Sequence, residues 1–403
     1  MRGVGIEARS PAKTAGTPET GKRARGAERL ASVALAPVTI TPTKPLTPTH
    51  VKGLLWLDVL AKGTRLLTET TYVWSSRTPN LSAQTLAFWE YLDRVAPEAD
   101  WPSRSEQEIG ELYVRSHAEA QAPPFEALRP YLERVEKEGW SHPASRRLIE
   151  LWAEQLELLG VEDPGLAVDR APGLSAAEAL ELLAKRGLVI DHRRFGGPVY
   201  LDGAPWGVPL RQLVGEDGHA NYLLAVLREL VPMIGERERL VLVFDPELAE
   251  DYLLLDRVLG ALGASVSRLA LGRVPLGGVV RSSRHGGWEQ TTLGDLSRLC
   301  LESFDVPAYR LGMRIYFIAI LKRESPQSFR PDLLRRSLLR AERILAAHPS
   351  EHATAGESGD AYEDFLRALV TPGGYVDPHR LTNSLLDRHR AVPVGPLLRT
   401  VYS

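Results

Sequence analysis

Cysteine occurs once in this chain, at Cys300. A lone thiol excludes an intrachain disulfide and any zinc site built from two or four cysteines. It fits a reducing, cytoplasmic setting. No apolar run approaches the ~20 residues that a membrane-spanning helix requires. The first 36 residues are rich in Ala, Gly, Thr, Lys and Arg and lack the apolar stretch of a secretory signal, so a disordered leader is expected there. Neither sign of charge dominates. The formal net charge of −2 gives no general field toward nucleic acid, and any such contact would need a local patch. His192, His219 and His352 do not fall at metal-ligand spacing. No internal repeat of solenoid period is present.

What remains is the composition of an ordinary globular protein, 44% apolar and 25% charged, long enough at 403 residues for two or three domains. The stretch "VALAPVTI" from Val33 reads as a strand. "LLWLDVLAKGTRLL" (54–67) carries apolar residues on a helical period, and "TTYVW" (70–74) is β-branched and aromatic. Strand, loop, helix and strand at this spacing predict a βαβ unit with a parallel sheet. Residues 84–186 read as mostly helical. Within them Ser175 and Glu178 form an S-x-x-E capping box, and Gly187 stands at the helix end. "GLVIDHRRFGGPVYLDG" reads as a hairpin. "RLVLVFD" (239–245) is a continuous apolar run suited to a strand buried on both faces, followed by a helix that stops at Gly263. Asp245 closes that strand, either as a helix N-cap or as a ligand group at the end of a parallel strand. The chain then reads as helical to about His348, with Arg335, Arg336, Arg340 and Arg343 on a polar face that is solvated or meets an acidic partner. A linker by composition follows, then a small helical appendage.

Between the first strand and helix lies "TKPLTPTHVKG" (43–53). Taken alone it is either a stiff loop or the edge of a nucleotide site. It resembles the A-K-P-L-H-V-G-H-L-R segment of arginyl-tRNA synthetases, their form of the class I HIGH motif, with Lys44, Pro45, Leu46 and His50 matching. Further stretches resemble the same family in the same order. "LDVLAK" (57–62) is similar to its G-D-A-L-A-R, and "EDGHANYLL" (216–224) to its S-D-G-x-x-x-Y. "LGRVPLGGVVRSSRHGGWEQTTLGDL" (271–296) is similar to the segment holding its KMSKS-like loop. "YRLGMRIYFIAIL" resembles the start of its helical region. The resemblance spans roughly residues 38–345. It implies an α/β fold with a Rossmann-like nucleotide-binding parallel sheet. The expected organisation is a leader at 1–36, a core at 37–290 with a helical insertion at about 84–186, a helical domain at 291–350, and a linker with its appendage at 351–403.

The resemblance also implies a chemistry. Class I synthetases use ATP and Mg²⁺ to join an amino-acid carboxylate to the α-phosphate, work that is mostly positioning and charge stabilisation. A loop ending at a helix N-terminus suits that task. By the resemblance, Lys44 and His50 would face phosphate. Ser283, at a position where the family's loop lacks its lysine, would close over the pyrophosphate with Arg284 and His285. Asp217, Tyr222 and Asp245 would line the amino-acid or ribose side. Three departures bear on substrate. Thr47 and Thr49 replace the first His and the Gly of HIGH, and a side chain at 49 is expected to crowd adenine. Val226 stands where the family places an Asp facing the guanidinium. A buried guanidinium without that carboxylate would cost several kcal/mol, so a neutral amino acid is expected rather than arginine. The family's large anticodon-binding domain has no counterpart in the sequence. The expectation is therefore a repurposed ligase of secondary metabolism that passes an activated amino acid to a small amine or a carrier. Charging or binding a tRNA acceptor end, and a non-catalytic scaffold, are the alternatives.

Overall fold

The computed structural model describes residues 29–119, 122–280, 283–321, 323–324, 327–348, 359–387, 389 and 394–402. The expected leader falls mostly outside them, but its boundary at 36 is too late, because Val33–Ala36 is strand β1 of the main sheet. Helix α1 (Pro48–Arg65) follows, then β2 (Thr70–Tyr72), which pairs in parallel with β1. The expected βαβ unit is present. A short α2 (Arg77–Asn80) leads into the helices α3 (Ala83–Val95), α4 (Glu106–Ala118), α5 (Phe125–Glu138), α6 (Pro143–Leu159) and α7 (Ala176–Lys185). Ser175 caps α7 through the capping box with Glu178, as the sequence predicts. The predicted hairpin pairs β3 (Val189–Asp191) with β4 (Val199–Leu201). It gains a third antiparallel strand, β5 (Arg211–Val214), whose short half-exposed run gives little alternation to read.

Helix α8 (Tyr222–Leu230) leads to β6 (Arg239–Phe244), α9 (Ala249–Ala261) and β7 (Val266–Ala270). The main sheet has the order β2-β1-β6-β7, all parallel. From β1 the chain steps outward to β2, whereas from β6 it steps the other way to β7. The crevice between the ends of β1 and β6 is thus a topological switch point, where open α/β sheets bind ligands. Alternate residues of the strands feed two apolar cores. Val33, Leu35, Val241 and Val243 face one, and Ala34, Ala36, Leu240, Leu242 and Phe244 face the other. Coverage on both faces explains the unbroken apolar run of β6.

The larger core holds α1, the insertion helices α3 to α6 and the helices after β7: α10 (Leu293–Leu301), α11 (Val306–Arg314) running into a π-helical segment Ile315–Ile320, α12 (Pro331–Ala347), α13 (Asp360–Ala368), α14 (Pro378–Ser384) and α15 (Val394–Tyr402), while α7 packs in the smaller one. The last three are not an appendage. Leu366, Val376, Leu381, Leu397, Leu398 and Val401 are fully buried in the same core as α1. Their short amphipathic runs give no sign in the sequence of the surface they cover. No helix among the described residues is long and apolar enough to cross a membrane.

Helix α1 is buried on nearly every side, and even its Lys52 and Asp58 are about 1% exposed. Asp58 accepts a hydrogen bond from Arg314 Nη2 at 2.6 Å and another from Lys62 at 3.0 Å. Arg314, itself fully buried, also donates to the carbonyls of Leu159 (2.9 Å) and Gly160 (2.8 Å) at the end of α6. One ionic cluster thus ties α1, α6 and α11 together. Removing one partner of a buried pair strands the other charge at a cost of roughly 3–5 kcal/mol, whereas replacing both by apolar groups costs far less. Urea denaturation should show Asp58→Ala losing about that much stability, with the double variant Asp58→Leu/Arg314→Met recovering most of it. Equal losses in the two would remove the ion pair from the account.

Candidate functional site

The loop between β1 and α1 is buried along most of its length, unusual for a connection rich in proline and threonine. Its carbonyls find partners. Ser145 on α6 donates to Pro42 O (2.6 Å), and the Leu293 amide at the start of α10 donates to Leu46 O (2.8 Å). Thr47 is the N-cap of α1 and Pro48 its first residue, where a missing N–H and a fixed φ cost nothing. The Thr47 amide donates to His50 Nδ1 at 3.1 Å. That bond makes Nδ1 the acceptor and leaves the proton on Nε2, the nitrogen free to donate. Burial, with Lys44 and Arg273 nearby, pushes the His50 pKa down to about 3, so the imidazole is neutral at pH 7.

Lys44 is only 5% exposed, and its ammonium lies 4.9 Å from the centre of the Tyr113 ring. Burial, reinforced by Arg284, lowers its pKa to about 8. Among the described residues no hydrogen-bond acceptor partners that ammonium. A cation held out of water beside an aromatic face and another cation is arranged for an anion.

The turn Ser283–His285 comes to the same place. The side chain of Ser283 lies outside the described part. Arg284 acts on Lys44, Tyr113 and His117, and His285 acts on His117. The turn is followed by Gly286 and Gly287, both at positive φ, and by the buried Trp288, whose ring packs against α4 at Gly110. Sequence reasoning missed Tyr113 and His117. Their i, i+4 spacing puts them on one face of α4, with rings 4.5 Å apart, but nothing local says which surface that face meets.

Asp245 is the cap that the sequence allowed, and it stands at the edge of the cleft. It caps the short turn after β6, accepting the Glu247 amide at 3.0 Å, and it lines the cleft beside α1. Its carboxylate is committed to an ion pair with Arg273. Thr49 does not simply crowd the groove. Its Oγ1 accepts the Val274 amide at 3.0 Å and pins α1 to the segment after β7. A second groove runs along this seam, lined by Thr47, Pro48, Thr49, Val274, Gly277 and Trp288.

Three expected residues lie elsewhere. Asp217 sits in an exposed turn, accepting the His219 amide at 2.9 Å. Tyr222 donates its hydroxyl to Asp251 on α9 at 2.6 Å. Val226 is buried in the smaller core, where α8 packs on the sheet, and it does not line the cleft. The expectation of a neutral amino acid therefore loses the residue it rested on. The reason is the phase of α8: its apolar stripe, Leu223, Val226, Leu227 and Leu230, faces inward as a unit.

No family model matches the sequence, and no curated protein matches it. Solved structures do. The arginyl-tRNA synthetase of Thermus thermophilus is similar over 93% of this chain and 80% of its own, with a TM-score of 0.64 and 16% identity. The arginyl-tRNA synthetase of Plasmodium falciparum is similar over 89% of this chain and 64% of its own, with a TM-score of 0.55 and 13% identity. The chain has the fold of a class I aminoacyl-tRNA synthetase core.

The depressed lysine gives a testable consequence. A folded pKa below the unfolded value means that the native state holds fewer protons between about pH 8 and 10.5. Stability then falls as pH drops through that window and stays reduced at pH 7. Lys44→Met should raise stability at pH 7 by roughly 1–3 kcal/mol and flatten the pH dependence of unfolding between 8 and 10.5. A variant no more stable than the parent would show that the buried ammonium carries no penalty.

Proposed function

We propose that this chain uses ATP to activate an amino acid as its adenylate and passes the acyl group to an amine other than a tRNA. The observation that carries the reading is the partnerless Lys44 ammonium beside the His50 Nε2–H, at the N-terminus of α1 and at the switch point of the sheet. In the first step a carboxylate oxygen attacks the α-phosphorus, and the bond from that phosphorus to the bridging oxygen breaks. Pyrophosphate leaves with the electron pair. Lys44 and His50 stabilise charge on the phosphate oxygens, and Arg284 and His285 face the leaving group. In the second step the amine nitrogen attacks the acyl carbon, AMP leaves with the oxygen, and the amine's proton goes to water. Mg²⁺ would enter with the triphosphate and offset its charge, since no group of three or more His, Cys, Asp or Glu among the described residues could hold a metal. The net charge of −2 supports a small acceptor over a polyanion.

One observation favours a non-catalytic reading. The Thr49 side chain, tied to Val274, stands where the resemblance expects glycine, at the edge of the second groove. Amino-acid-dependent ATP–pyrophosphate exchange decides between the two. Exchange with one of the twenty amino acids is expected, falling roughly 100-fold or more in Lys44→Ala/His50→Ala. Folded protein that gives no exchange with any of them, and no thermal stabilisation by ATP, would support the scaffold reading instead.

A further inference from the structure

The cleft between the end of β1 and α1 is almost wholly apolar. Ile40 comes from the first loop, Leu54 and Leu57 from α1, Trp74 from the segment after β2, Leu166 from the insertion and Val243 from β6. These side chains belong to the edges of the two cores and also line a cavity. Next to Leu54 on the helix is Gly53, where an added Cβ would meet nothing within 4 Å. A glycine inside a helix, facing open space in the most buried helix of the molecule, marks where a ligand has room.

The far wall is built for closeness. Asp163 accepts three successive amides, those of Gly165 (3.0 Å), Leu166 (2.6 Å) and Ala167 (3.0 Å), and so holds Leu166 over the cleft. Gly165 has φ +102°, and a Cβ there would stand 2.1 Å from the Trp74 carbonyl oxygen, so only glycine permits this approach. The Trp74 indole donates its N–H to Pro37 O and is fixed in place.

The carboxylates in and behind the lining are already paired, and the one lysine of the lining is held by carbonyls. Lys52 donates to the carbonyls of Gly272 and Arg323, both at 2.9 Å. Asp245 is paired with Arg273. Glu229, behind Ser75, accepts from Thr78 at 2.9 Å and pairs with Arg170 at 3.3 Å. A guanidinium entering the cleft would lose its water and find no free carboxylate. His50 lines the same cleft and feels the charge of Lys44, so a ligand's carboxylate would face that side while its side chain points to the apolar residues.

We propose that this cleft seats the side chain of an apolar amino acid, aliphatic or aromatic, as the acyl substrate of the reaction proposed above. The inference rests on that reading for its chemistry but on the cleft for its specificity.

Calorimetry on the full chain, with a non-reacting ATP analogue present, would test it using leucine, phenylalanine, arginine and glutamate. Leucine or phenylalanine should bind, and arginine and glutamate should bind at least tenfold more weakly. Gly53→Leu replaces a helical glycine with a better helix former and fills the cleft. It should lower apolar binding at least tenfold without lowering the melting temperature, and Gly53→Ala should give a smaller loss. Tighter binding of arginine or glutamate would overturn the proposal. So would apolar binding untouched in folded Gly53→Leu and Gly53→Ala, or no binding by any of the four. Apolar binding without pyrophosphate exchange would keep the cleft assignment and sink adenylate formation, whereas exchange driven only by a charged amino acid would do the reverse.

Discussion

Burial of α1 on almost every side is the constraint from which the rest of the structure follows. A helix enclosed by the sheet on one side and by the insertion and C-terminal helices on the others cannot shift without disturbing both layers. Its N-terminus is therefore fixed at the end of β1, where the strand order reverses. The Asp58–Arg314–Lys62 cluster locks its rotation, and Trp56 adds a bond from its indole N–H to the Phe317 carbonyl at 3.2 Å in the π-helical segment. The loop before α1 inherits this rigidity, because its carbonyls are already taken by Ser145 and by the Leu293 amide.

On that rigid base the site gathers Lys44, Arg284 and His117 around one point. Burial, and after it Arg284, lowers the pKa of Lys44, and burial with Arg284, Lys44 and His285 lowers that of His117. Holding an ammonium out of water in this way costs stability. The neutral His50, fixed as a donor by the Thr47 amide, contributes a hydrogen bond without adding to the repulsion. The apolar cleft beside it has a different character, with Asp245 paired to Arg273 and Lys52 held by two carbonyls. Charged and apolar halves side by side match a ligand with an anionic end and an apolar side chain.

The likeness to arginyl-tRNA synthetases is a likeness of fold, at 13–16% identity. What it leaves open is the substrate, and here the local structure speaks more directly than the motif. Val226, at the place where the resemblance expects an acidic contact, is core packing, while the cleft gets its character from Leu54, Leu57, Trp74 and Leu166.

Much was legible in the chain itself. The βαβ unit, the buried strand at 239–244 and the capped helix at 176–185 all follow from local periodicity and caps, signals contained within single elements. Other features depended on residues far apart in sequence. Tyr113 and His117 reach Lys44 because α4 packs beneath the loop. Leu166 closes a cleft whose floor is more than a hundred positions earlier. The last three helices join the core of the first. Tyr222 and Val226 turned away because the inward stripe of α8 set its rotation, and Asp217 stands in the exposed turn before it. Local sequence fixes which residues share a face of a helix or strand; only packing against distant segments decides what that face meets.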